Sequence, residues 1–209
     1  MTMTVFILLA YLLGSISFAV ISSWIFRLPD PRTYGSKNPG ATNVLRSGKK
    51  AAAALTLLGD AGKGWLAVML AQRFAPDYGL GGEANIVIAA VLLAVFLGHV
   101  FPVFLRFRGG KGVATALGAL LALNLWVGSS VIATWLVVAA IWRISSLSAL
   151  VAAVLAPVYV VIFLGFESGA QPSILAVLIM SLLLIWRHKS NIADLIAGKE
   201  ERIGKSETP

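Results

Sequence analysis

The chain has no cysteine, only two histidines and only nine carboxylate side chains among 209 residues. Without cysteine there is no disulfide framework, no thiolate nucleophile and no Cys-ligated metal, and His99 and His188 alone cannot build a histidine-rich site. Charge is scarce as well: Asp, Glu, Lys and Arg make up 12% of the residues, against roughly 25% in soluble domains. With 58% apolar residues and a mean hydropathy of +0.88, the composition excludes an ordinary soluble domain and describes a polytopic membrane protein.

What charge there is has one dominant sign. The net charge is +8 and the pI about 10.1, but the basic residues are dispersed between apolar runs and form no long solvated stripe, which argues against nucleic acid as a partner. Lys and Arg held on the cytoplasmic side of a membrane protein explain the pattern better. The apolar start, Met1 to Ala19, has no basic n-region and is followed by Arg27 and Arg32, so it is expected to be a retained first span with the N-terminus outside.

The apolar runs are Phe6 to Phe26, Gly64 to Ala71, Ile86 to Phe104, Val113 to Leu125, Val127 to Trp142, Leu147 to Phe166 and Ile174 to Trp186. The stretch from Val113 to Trp142 would be roughly 45 Å long as one straight helix, well beyond a bilayer core of about 30 Å. It is interrupted at Asn124 to Gly128, so a hairpin of two helices turning near Asn124 is expected, which keeps Lys111 and Arg143 on one side. The expectation is an all-α integral membrane protein of seven transmembrane helices, N-terminus outside and C-terminus cytoplasmic. Residues 1–209 form a single polytopic domain, with inner loops at about 27–50, 106–111 and 143–146 and a cytoplasmic tail at about 187–209. Lys63 lies near the inner end of the second span, and Arg73 is the single basic residue outside. The outer connections, at Tyr78-Gly79-Leu80-Gly81-Gly82 and Ser168-Gly169-Ala170-Gln171-Pro172, carry turn chemistry and Asp77, Glu83 and Glu167.

The inner segments carry the chemistry. The first loop reads Tyr34-Gly35-Ser36-Lys37-Asn38-Pro39-Gly40-Ala41-Thr42-Asn43-Val44-Leu45-Arg46: glycines let several N–H groups converge on one anion, polar side chains add hydrogen bonds, and Arg46 offers a planar fork matched to phosphate. The same residues would also serve a plain polar loop with a Pro-Gly turn. In the second, Gly109-Gly110-Lys111-Gly112 directly precedes a helical run, so exposed N–H groups, a positive helix end and an ammonium can meet at one anion. This is no Walker A loop, because Gly112 stands where that motif needs Ser or Thr.

His99 falls in an apolar span, where a histidine is costly without a partner; it has either a functional role or an interhelical hydrogen bond. Asp60 and Lys63 are three apart, on one helix face, and read as a structural ion pair or one that orients neighbouring loops. His188 and Asn191 are also three apart, and a continuing helix would point both at one ligand from the inner rim of the last span; a basic juxtamembrane anchor is the alternative. Arg143-Ile144-Ser145-Ser146 forms the remaining inner connection, where the same residues also serve as ordinary anchors and caps.

Taken together, Gly14-Ser15-Ile16, the segment from Gly35 to Asn43, the segment from Gly98-His99 to Thr115, and Arg187-His188 with Asn191 resemble the PlsY-type family of bacterial membrane glycerol-3-phosphate acyltransferases. Ser17 departs from the proline that often follows Gly-Ser-Ile in that family, and Arg108 from a frequent lysine. The resemblance implies a seven-helix fold and transfer of a fatty acyl group from acyl phosphate to the first-position hydroxyl of glycerol 3-phosphate. The products would be lysophosphatidic acid and phosphate, made at the cytoplasmic face of the bacterial inner membrane for phospholipid biosynthesis, with no cofactor or metal. By matching motif positions it assigns Ser36, Arg46, Lys111, Ser146, His188 and Asn191 to the glycerol-phosphate pocket and Asn38, Gly40, Thr42, His99, Gly110 and Gly112 to an acyl-phosphate cradle. His99, Lys111, His188 and Asn191 are the catalytic candidates. The hydroxyl proton would go to a histidine or to a phosphate oxygen of the donor. Acyl phosphate is already activated, so alignment and charge stabilisation suffice without a covalent intermediate.

Two other classes remain open on the residues. A transporter of phosphorylated metabolites would use similar glycines and cations but place them at broken helices near the midplane. A phosphatidyltransferase would need an Asp-rich metal motif, which is missing.

Overall fold

The computed structural model describes residues 2–75, 83–166 and 169–203. The expected outer turn at 78–82, Asp77, Glu167, Ser168 and the end of the tail, including Lys205, lie outside these residues. The described chain is helical throughout: α1 (Thr2–Gly14), α2 (Phe18–Ile25), α3 (Ala41–Leu45), α4 (Lys50–Phe74), α5 (Ala84–Val100), α6 (Val113–Leu123), α7 (Leu125–Trp142), α8 (Ser145–Leu164), α9 (Gln171–Arg187) and α10 (Lys189–Ile196), with a short 3₁₀ turn at Val103–Leu105.

Five segments are long and apolar enough to cross a membrane: Met3–Ile25, Lys50–Phe74, Ala84–Leu105, Leu125–Trp142 and Ser145–Leu164. A sixth is added if α9 and α10, bent by 57° to each other, count as one. At eleven residues, α6 is only about 16 Å long, roughly half a bilayer core.

α5 sits at the centre, with Val87, Val91, Leu92, Val95, Phe96 and Val100 fully or almost fully buried. Its neighbours approach through glycine. A Cβ added to Gly14 would lie 2.2 Å from the Val95 carbonyl oxygen, and one on Gly98 2.2 Å from that of Tyr11. α4 and α6 meet in the same way, Gly64 against Thr115 and Gly118 against Ala61. Without lipid-to-protein hydrophobic transfer to drive it, helix association in a membrane relies on such close van der Waals approach. The Gln72 side chain donates to the Leu123 carbonyl at 3.4 Å, so α6 runs in the same direction as α4, beside its middle and C-terminal turns, and ends level with them.

The turn at Asn124 forms as expected. Its side-chain oxygen accepts from the N–H groups of Trp126 (2.9 Å) and Val127 (3.2 Å) and caps α7, while Gly128 packs against Leu121 across the hairpin.

The first span, Met3–Ile25, carries a break at residues 15–17, where Ser17 caps α2. Two expectations are corrected. Helix α4 begins at Lys50, so Asp60 and Lys63 occupy its middle turns rather than the inner end of a span. The last span does not run straight through His188: α9 stops there and α10, which His188 precedes as its cap residue, leaves at 57°.

The basic segments gather at one end of the bundle. Ile203 N–H donates to the Arg143 carbonyl (2.6 Å), Arg46 pairs with Glu201 (2.6 Å), and Thr42 and Ser145 share a hydroxyl hydrogen bond (3.3 Å). Asn85 lies beside Gly169 at the opposite end.

The α4–α6 seam generates a prediction. Gly118→Leu forces a side chain into the Ala61 carbonyl, which a Cβ alone would approach to 1.8 Å, whereas Gly62 has open space around it. Gly118→Leu should therefore abolish the monodisperse peak on size exclusion in detergent. Gly62→Ala should preserve it, with a gain of up to about 1 kcal/mol from helix propensity.

Candidate functional site

The first inner loop is organised from within. Asn43, 2% exposed, donates to the carbonyls of Pro31 (2.7 Å) and Tyr34 (3.2 Å) and accepts the Ser36 N–H (3.0 Å). Asn43 thus shapes the loop. Ser36 is exposed on it, and Gly35, with a left-handed φ of 53°, packs against Arg46. Gly40 caps the short α3 in extended conformation beside the Asn38 amide, and Thr42 reaches Ser145 across to the next inner connection.

Two loops and two helices then close on one another. Arg187 donates to the carbonyls of Gly109 (2.8 Å) and Gly110 (3.3 Å). Gly110 N–H donates to the His99 carbonyl (3.2 Å). A Cβ on Gly110 would lie 2.2 Å from His99 Nε2 and 3.1 Å from the Pro39 carbonyl, so the glycine is where the first loop, the second loop and α5 converge. Gly112 has a different task. At φ 89° it caps α6, and a Cβ there would strike the Phe96 ring at 2.2 Å, so its need for glycine is met by the backbone and by packing.

Beside this point lies a narrow cleft lined by Gly14, Ser15, Lys63, His99, Gly109 and Gly110 among others.

The remaining groups form a second cluster. Lys111 donates to Asn191 Oδ1; Asn191 Nδ2 and Ser146 Oγ both donate to Glu200 Oε1, at 2.7 and 2.6 Å; and Arg46 holds Glu201. Burial holds the Lys111 ammonium pKa below the ordinary lysine value, Glu200 working against it and Arg46 and Arg187 with it. His188 is 2% exposed, and its Nδ1 donates to the Leu184 carbonyl at 2.8 Å, an acceptor that fixes the proton on that nitrogen and leaves Nε2 bare in the neutral ring.

Of the twelve site residues expected from sequence, Arg46, Lys111, Ser146 and Asn191 are joined through the tail carboxylates, and His99 and Gly110 meet directly. Ser36, Asn38, Gly40 and Thr42 line the adjoining loop. Arg187 and Glu200 were not among the expected site residues. The first sits next to a candidate histidine, which was the available signal. Glu200, twelve residues beyond His188 at the bend, carried none.

Fold and contacts define an integral membrane helical protein whose one polar end gathers basic and amide side chains around two carboxylates of its own tail. A family model described as glycerol-3-phosphate acyltransferase matches residues 4–198, and the chain belongs to that family. It is 66% identical over 208 residues to the glycerol-3-phosphate acyltransferase of Nitrosospira multiformis, covering all of both chains, and 63% identical to that of Nitrosomonas eutropha, covering 99% and 100%. Its fold matches the crystal structure of PlsY (YgiH), an integral membrane glycerol 3-phosphate acyltransferase, in the glycerol 3-phosphate form, with a TM-score of 0.85 and 32% identity over 98% of this chain and 96% of that one. The lysophosphatidic acid form matches with a TM-score of 0.84 and 31% identity over the same shares.

The contact between Gly110 and His99 can be tested directly. Gly110→Ala must displace the imidazole or the loop, and a shift of an ångström at a reacting centre costs on the order of a hundredfold. Acyltransferase turnover should fall at least about tenfold while the detergent-solubilised protein keeps its elution volume.

Proposed function

We propose that the chain transfers a fatty acyl group from acyl phosphate to the first-position hydroxyl of glycerol 3-phosphate, releasing lysophosphatidic acid and inorganic phosphate. The observation that carries this reading is that Arg46, Ser146 and Asn191, from three separate inner segments, already hold carboxylates at one place, with Lys111 behind them. Donors that receive a carboxylate suit a phosphate, and Arg46 matches it bidentately. Family membership supplies the alcohol substrate.

In the reaction the glycerol oxygen forms a bond to the acyl carbon, the bond from that carbon to the phosphate oxygen breaks, and phosphate leaves with the electron pair. The hydroxyl proton passes to the donor's phosphate or to a histidine. Lys111, Arg46, Ser36, Ser146, His188 and Asn191 hold glycerol phosphate. Asn38, Gly40, Thr42, His99, Gly110 and Gly112 surround the acyl phosphate. A phosphate entering at Arg46 displaces Glu201, since two anions do not share one guanidinium fork without mutual repulsion. Transfer is direct, with neither acyl-CoA nor a metal ion required.

Removing a charged hydrogen bond at a desolvated site costs about 1.5 to 3 kcal/mol, roughly ten- to a hundredfold or more. Lys111→Ala should stay folded and membrane-inserted yet lose most conversion of labelled glycerol 3-phosphate into extractable lipid; near-normal kinetics overturns its role. Because its pKa lies below the ordinary lysine value, the ammonium is lost earlier as pH rises. In the wild type, kcat/KM for glycerol 3-phosphate should accordingly decline on the alkaline side before a free lysine would titrate.

Seven spans, with α6 and α7 as a pair, the N-terminus outside and the polar end facing the cytoplasm of a bacterial inner membrane complete the proposal; the excess of Lys and Arg in the inner segments supports it. In the cysteine-free chain, Ser47→Cys should resist an impermeant thiol reagent in intact cells and Asn85→Cys should react. The opposite labelling reverses the orientation.

A further inference from the structure

The Asp60–Lys63 pair is about three turns inside α4 and outside the groups assigned to either substrate, yet Lys63 lines the cleft. Lys63 is 3% exposed and Asp60 2%. An ammonium has three donors and no acceptor, and three acceptors surround this one: the Ile16 carbonyl at 2.6 Å, Asp60 Oδ1 at 2.8 Å and His99 Nδ1 at 3.0 Å. Asp60 Oδ1 is itself 3.5 Å from His99 Nδ1, so Lys63 is the nearer partner of that nitrogen. A ring nitrogen that accepts from an ammonium carries no proton. With Lys63 as the donor to Nδ1, rather than Nδ1–H donating to the more distant Asp60, the proton of the neutral imidazole is on Nε2, the atom facing Gly110.

We propose that Lys63, neutralised by Asp60, is a positioning residue that fixes His99 in the Nε2–H form and so turns it into a hydrogen-bond donor aimed into the Gly109–Gly110 loop. A phosphoryl oxygen bound in that loop can only accept, and only this tautomer offers it an N–H. The opposite tautomer would present a lone pair to the anion. His188 is set the other way, its Nδ1–H spent on Leu184. The two histidines thus have complementary roles, His99 a donor and His188 an acceptor. The consequence for catalysis rests on the acyltransferase reading; the tautomer assignment does not.

The chain's two histidines make the test simple. Nitrogen NMR of ring-labelled protein in lipid nanodiscs, at a pH where both imidazoles are neutral, distinguishes protonated from bare nitrogens. The wild type should show one ring of each tautomer, and His99→Gln should delete the one with the proton on Nε2. Two rings with the proton on Nδ1 in the wild type overturn the proposal without any variant having to fold. Lys63→Met should abolish the bias at His99 and lower kcat about tenfold or more, leaving KM for glycerol 3-phosphate within about twofold. Lys63→Gln, whose amide still donates, should recover part of both. An unchanged His99 tautomer in Lys63→Met refutes the positioning role whatever the activity. The expected tautomers in a protein that makes no lysophosphatidic acid would fault the function instead.

Discussion

Inside a membrane every backbone carbonyl and amide must find a partner within the protein, and the break in the first apolar segment frees such groups. Lys63 answers by donating to the Ile16 carbonyl, and Ser15 by donating to Tyr11 while accepting the Val103 amide. Tyr11 in turn donates to the Phe101 carbonyl at 2.7 Å. The break is therefore tied to α4 on one side and to the end of α5 on the other. Gly14 and Gly98 let α1 and α5 come close enough for these bonds to form. Loosening that knot would release His99, Gly110 and the loop that carries Lys111 together.

The features legible in the sequence were those that short-range chemistry dictates. Asn124 caps a helix because its side chain reaches two following amides, and that local geometry is visible in the order of residues. The inner segments gather at one end because apolar lengths and basic residues fix which connections share a side. The break at residues 15–17 was hidden because serine can satisfy its own neighbours, so an apolar run shows no polar deficit there. The depth of Asp60 and Lys63 was misread because the alanine-rich stretch from Lys50 to Leu57 is only mildly apolar, although alanine extends a helix readily. Glu200 came to Ser146 and Asn191 through a bend at His188, and tertiary contacts of that kind leave no periodic trace.

Glycine illustrates why motif membership and role come apart. Gly110 and Gly112 belong to one four-residue run, but the first marks the meeting of His99 with the first loop, whereas the second turns the chain into α6 and makes room for Phe96. Asn43 likewise belongs to the same polar loop as Ser36 and Asn38, and its bonds are all internal to it.

The half-length of α6 has a thermodynamic consequence. Because it lies beside α4 from Ala61 to Gln72, the loop that precedes it is sunk below the level at which α4 begins. For an acyl donor of the proposed kind, a phosphate pocket at the membrane surface would require part of the chain to be drawn out of the hydrocarbon, at about 0.8 kcal/mol for each methylene exposed to water. A recessed pocket lowers the protein to the lipid instead of lifting the lipid to the protein. The tail can stay dissolved in the bilayer while its carbonyl reaches the reacting position, so chain extraction adds little to the activation barrier.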